Sequence, residues 1–222
     1  MLTKFRVIGK RWLIGGIVVT GCLSACSFLE KKQAVVIDKE PMSITRHSLE
    51  QAPIRLQDQS EKEEGALTTW FYRCSNYLAY EVKSETRSKN LVSVEILITG
   101  ATMHIGLAVD MFLKEDAPAS LKAHEAGHLR ICELIYQKAD SAAAKAARGV
   151  LGRKFSGAGS DHNQALAAAL QAASEAICSS YRGSTVIRAN KTSSAYDRIT
   201  DHGRAKISGE EAINQALKQE EL

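Results

Sequence analysis

One run constrains this 222-residue chain more than any other: His124-Glu125-Ala126-Gly127-His128, which has the spacing H-E-x-x-H. On a helix, side chains four apart stand one above the other, so His124 and His128 share a face. Two imidazoles so placed can hold one Zn²⁺ at about 2.0–2.1 Å each. At roughly 100° per residue, Glu125 projects about 60° round the helix from His128. From there it reaches water at the ion without ligating it, which suits a general base. The run therefore requires a helix, with a face buried around its imidazoles.

The flanking residues agree. Leu121, Ile131 and Ile135 fall on the same side as the two histidines, so the metal face is also the buried face. Asp116-Ala117-Pro118 supplies an acidic cap candidate and a proline suited to a first turn. The pattern predicts a helix from Ala119 to about Arg148, with a break near Asp140-Ser141. Gly127 lies beside the metal face, where its missing side chain lets another backbone approach.

Upstream the period changes from helix to strand. Residues 68–74 and 77–83 are rich in aromatic and β-branched side chains. Apolar residues occupy even positions over 92–98 and odd positions over 103–111, with Gly100 between them as a turn. Downstream, Phe155-Ser-Gly-Ala-Gly-Ser160 reads as a loop. It lacks the Lys-Ser/Thr ending and preceding strand of a phosphate loop. Asp161 caps a long alanine-rich helix over 163–180, residues 183–192 read as irregular or a short strand, and 210–219 as a short terminal helix. The predicted class is α+β: a small, mostly antiparallel sheet over about 68–112, then the H-E-x-x-H helix and a second long helix.

Two histidines do not complete a catalytic zinc site, which usually has three protein ligands and an open position. No third histidine follows His128 at short range, so the third ligand comes from elsewhere. His202, His162, Glu175 and Cys132 are candidates, whereas Glu133 faces away from the pair. His202 has the best context, in Tyr196-Asp197-Arg198-Ile199-Thr200-Asp201-His202-Gly203. Asp197 or Asp201 can accept the second N–H of a ligand histidine, and Tyr196 can donate to a developing oxyanion.

Together, His124-Glu125-Ala126-Gly127-His128 and this later segment resemble the bacterial family described as predicted secreted Zn-dependent proteases, over roughly Thr68 to Arg204. The resemblance implies a zincin-like domain with one Zn²⁺ on His124, His128 and His202, and Glu125 as base.

The first residues address the chain. Met1–Arg11 is basic, and Trp12–Leu23 is an apolar run too short to span a bilayer. Leu23-Ser24-Ala25-Cys26 then resembles the lipobox of bacterial lipoproteins. That implies cleavage before Cys26, lipidation of Cys26 and anchoring in the cell envelope, with Ser27 favouring the outer membrane. The domains are thus a signal peptide over 1–25, a tether over 26–43 and a metallopeptidase domain over 44–222, in which Ile44–Leu56 suggests an edge strand. The chain has 29 Lys and Arg against 25 Asp and Glu, and Lys4, Arg6, Lys10 and Arg11 account for the whole excess. The rest is formally neutral and has no basic stripe, so nothing points to a nucleic-acid partner. Beyond Cys22 and Cys26, three cysteines remain, enough for one disulfide among Cys74, Cys132 and Cys178.

The expected function is an envelope-anchored zinc metallopeptidase acting on a peptide or protein, with an edge strand within 92–112 holding extended substrate. The alternative is a non-catalytic envelope lipoprotein that binds a protein or cell-wall partner.

Overall fold

A computed structural model describes residues 34–53 and 65–219. The leader, Cys26 and the first part of the tether lie outside them. The tether's later part contains strand β1, Ala34–Lys39, and β2 follows at Ser43–Ser48. Two long strands, β3 (Ala66–Ser88) and β4 (Leu91–Leu113), form a hairpin. Next come α1 (Ala119–Gln137), α2 (Ala139–Arg148), β5 (Lys154–Gly159) and α3 (His162–Arg182). A π turn over Gly183–Ile187 leads into α4 (Arg188–Thr200), and α5 (Gly209–Gln219) closes the described chain. Among the described residues, no helix is long and apolar enough to cross a membrane.

The class is α+β, but the expected small, mostly antiparallel sheet is not what forms. The five-stranded sheet is mixed and built on β4: β1 and β2 pair with it in parallel, β3 and β5 antiparallel. The parallel strands come from residues 34–48: β2 begins the edge strand expected from Ile44, whereas β1 lies in the segment read as tether. β4 supplies enough hydrogen-bonding edge to order both of them.

Gly100 is not a turn. The register steps from Ala79↔Gly100 to Tyr80↔Ile98, leaving Thr99 as an extra residue in one continuous strand. A one-residue slip exchanges the two faces of a strand. That is why the apolar set runs on even numbers before the bulge and odd numbers after it. Ile96, Ile98, Met103, Ile105 and Leu107 are all fully buried in a single core with Ile131, Ile177 and Tyr181 from the helices.

The loop expected at 155–160 is β5, paired with Val92–Leu97 of β4, and its small residues let α3 lie close across it. Asp161 caps α3 as expected, its Oδ1 accepting the Gln164 N–H at 2.9 Å. The break in the first helical run falls at Lys138, between α1 and α2. The segment expected to be irregular, 183–192, is helical, so residues 162–200 form one helical run interrupted by the π turn.

Cys74 of β3 and Cys178 of α3 form a disulfide, while Cys132 is a buried free thiol. The bridge joins residues 104 apart in sequence. Closing so long a loop restricts the unfolded chain, so replacing both cysteines with Ala should lower the unfolding free energy by about 3–4 kcal/mol. The urea midpoint reads this; an unchanged midpoint would mean the bridge does not form.

Candidate metal centre

Helix α1 places His124 and His128 one turn apart, both buried, with their Nε2 atoms 3.2 Å from each other. Helix α4 brings Asp197 to them. Its Oδ1 lies 3.2 Å from His124 Nε2 and 2.9 Å from His128 Nε2. His124, His128 and Asp197 thus form a triad able to hold a metal ion. A tetrahedral ion with bonds of about 2.0–2.1 Å needs donor atoms about 3.3 Å apart. All three edges of the triangle come within a few tenths of an ångström of that. Asp197 Oδ1 is buried without a well-formed hydrogen bond. One proton can satisfy only one edge of such a triangle, whereas a cation at its apex satisfies all three.

Burial alone would raise the Asp197 carboxyl. The contacts and charge of His124 and His128 outweigh it, so the group ionises well below the usual carboxylate range. It therefore presents a charged oxygen, as a ligand must.

The downstream segment is a cradle for His124. Tyr196 stacks on its ring at 5.1 Å between centroids. Thr200 Oγ1 donates to Tyr196 O at 2.8 Å and lies 3.3 Å from His124 Nδ1. With its proton spent on the carbonyl, the Thr200 hydroxyl can accept the Nδ1–H, which in the neutral ring leaves the Nε2 lone pair directed towards the triad. Gly203, at φ 83°, passes so close that a Cβ there would lie 3.0 Å from His124 Cβ. Asp201 and His202 precede it with φ of 46° and 52°. This left-handed turn ends α4 and folds the chain back over His124.

Glu125 is buried and accepts a 2.6 Å hydrogen bond at Oε2 from Thr68 Oγ1 of β3. Both residues line a cleft of roughly 220 Å³, with Leu67, Trp70, His128, Asn190, Ser193, Ser194 and Asp197. Trp70 lies beside His128, ring centroids 6.3 Å apart, and its Nε1–H donates to Asn190 Oδ1 at 3.0 Å.

The π turn sets which face of α4 the cleft sees. Asn190, Ser193 and Asp197 follow one another at helical spacing along that wall. A π turn carries one residue more than an α-turn, which advances everything after it by about 100°.

Of the expected site residues, His124, Glu125 and His128 come together as anticipated. His202 does not join the triad: it is exposed, and its ring centroid is 6.2 Å from that of His124. The left-handed turn carries it past the donors, and Asp197 holds the third position. Tyr196 is buried and does not line the cleft, so it packs the site and does not face a substrate. Burial, reinforced by the charges of Asp197 and Glu125, raises its hydroxyl pKa and keeps it a neutral phenol. His162 bonds Glu85, Glu175 bonds Gln171, and Glu133 pairs with Arg130. Thr68 was not anticipated; only its place at the start of an aromatic strand marked it.

No protein-family model, no curated protein and no solved structure matches the chain.

Gly127 receives a side chain, not the backbone expected. A Cβ at this position would lie 2.1 Å from Tyr196 Oη and 2.4 Å from its Cζ. On helix propensity alone, Gly127→Ala should stabilise by about 1 kcal/mol. The clash should reverse that sign and cost about 1–3 kcal/mol. Thermal unfolding decides, because a gain in stability would mean Tyr196 does not sit against Gly127.

Proposed function

We propose that this protein is a zinc-dependent metallopeptidase, with Zn²⁺ held by His124 Nε2, His128 Nε2 and Asp197 Oδ1. The observation that carries this reading is the donor triangle, with edges of 3.2, 3.2 and 2.9 Å, opening on a cleft that Glu125 also lines. Three protein donors beside a cleft favour a catalytic site, because structural zinc sites close with four. The ion would supply a Lewis acid that acidifies water and polarises a carbonyl.

The chain's own residues do the rest. Thr68 occupies Glu125 Oε2 and fixes the carboxylate's rotation, leaving Oε1 to take a proton from the attacking water and return it to the leaving amine nitrogen. Thr200 keeps His124 in the tautomer that ligates, and Tyr196 holds the ring in place. The walls of the cleft limit access of bulk water to Glu125.

The expectation of an edge strand within 92–112 is corrected. β4 is paired on both sides along most of its length. The open edge is that of β3, which among the described residues pairs only with β4 and reaches the cleft through Leu67, Thr68 and Trp70. Under this reading, it would take an extended peptide by main-chain hydrogen bonds. The lipobox-like leader, which lies outside the described residues, would put the reaction in the cell envelope.

Metal analysis of the purified full chain tests the ligand set. We expect about one zinc per chain, lost in His124→Ala and Asp197→Ala and kept in His202→Ala. If zinc instead survives Asp197→Ala and disappears with His202→Ala, the third ligand is His202 and the triad is wrong. Catalysis is tested separately. Glu125→Gln should keep its zinc and lose peptide cleavage by about 10²–10⁴-fold. Undiminished cleavage would remove Glu125 as the base.

A further inference from the structure

The hydroxyls buried along the π turn and helix α4 differ in their bonding. Thr200 Oγ1 donates back to the carbonyl of Tyr196, and in the π turn Thr185 Oγ1 donates back to Tyr181 O at 2.9 Å. Such back-bonds are the usual way a helix absorbs a buried hydroxyl. Ser193 does not make one. It is only 4% exposed, and among the described residues its Oγ is buried with no hydrogen-bond partner. Thr192 Oγ1 and Tyr181 Oη share that condition, but neither residue lines the cleft, whereas Ser193 does. Leaving a hydroxyl unbonded in a protein interior is costly, so a partner is expected from the cleft side.

The neighbours of Ser193 define that partner's chemistry. Asp197, the third metal donor, follows one turn later on the same wall, and Asn190 precedes it by three residues. The Trp70 Nε1–H occupies Asn190 Oδ1, which orients the amide and leaves the Asn190 NH₂ as a donor. The wall therefore presents N–H and then O–H donors before the metal is reached. A ligand that satisfies them offers an acceptor oxygen at short range from its metal-bound group.

We propose that Ser193 Oγ, with the Asn190 side-chain amide, forms the subsite that binds a main-chain carbonyl oxygen of the substrate next to the scissile group. This rests on the metallopeptidase reading and specifies how that site grips its peptide. The donors answer a carbonyl that every peptide carries. The subsite thus recognises an extended backbone.

Two hydroxamates separate this subsite from the metal. Acetohydroxamate reaches the ion alone; acetyl-alanyl-alanine hydroxamate adds main-chain carbonyls. Their binding to the zinc-loaded full chain is measured by calorimetry. In Ser193→Ala we expect the dipeptide hydroxamate to bind roughly tenfold more weakly, with acetohydroxamate affinity and zinc content unchanged. Asn190→Ala, at an exposed position that does not threaten the core, should weaken the dipeptide probe a few-fold in the same selective way. If both variants bind the dipeptide probe as the wild type does, or Ser193→Ala weakens both probes by one factor, the subsite is refuted while the metal centre stands. A wild-type chain that takes up no zinc would refute the metallopeptidase reading, and the subsite with it.

Discussion

The site depends on one contact, the flat insertion of Tyr196 between the ring of His124 and the bare Cα of Gly127. Tyr196 is 2% exposed, and the groove it fills exists only because residue 127 has no Cβ. Interiors are packed closely enough that one added methyl group must displace something. Here it would displace the residue next to Asp197. A shift of even 1 Å between α1 and α4 would open contacts of 2.9 and 3.2 Å beyond the reach of a shared ion. Gly127 thus sets the separation of the two helices that supply the donors. The helix accepts an unfavourable residue at its centre, worth about 1 kcal/mol, in exchange for that separation.

Separation alone does not aim a side chain; rotation does. The helical run from His162 to Thr200 has two jobs that require different phases. Its first half faces β4 and β5 with alanines, and its second half must turn Asn190, Ser193 and Asp197 into the cleft. The π turn at Gly183–Ile187 supplies the extra residue that reconciles the two. Buried Thr185 takes up one irregularity in the backbone bonding by donating to Tyr181 O. The site is therefore specified by a glycine that fixes distance and a π turn that fixes angle, each in a different helix.

That division explains what was legible in the sequence. The pair His124 and His128 could be read because both ligands sit on one helix, where i, i+4 spacing is geometry in itself. Glu125 followed for the same reason. Asp197 could be read only as an acceptor near the site, because its place depends on the phase of α4, and residues 183–192 read as irregular or a short strand, so the helical phase is not carried through the π turn. His202 looked like the ligand because histidine next to aspartate and glycine suggests a metal loop. The glycine instead serves a left-handed turn packed on His124, and it sends His202 outward. In the sheet, the switch from even to odd apolar positions was visible, but a bulge and a turn give the same pattern. β2 is legible in part, as the edge strand expected from Ile44, whereas β1, a short run with β-branched Val35, Val36 and Ile37, reads as tether because a polar segment precedes it and its pairing with β4 is long-range.

The donor triangle also has an energetic consequence for the fold. Two imidazole nitrogens and a carboxylate oxygen share a buried point; burial alone would raise the Asp197 carboxyl, and the contacts and charge of the histidines outweigh that cost. The triad therefore does not depend on an ion to be tolerated in the fold, and the long hairpin, the apolar face of β4 and the bridge from Cys74 to Cys178 all lie outside it. A cation that binds only the folded chain adds about 4 kcal/mol when its free concentration is a thousand times the dissociation constant. The fold can therefore hold the donors in place before an ion arrives. Such preorganisation suits a site that must capture its metal and still keep one coordination position open.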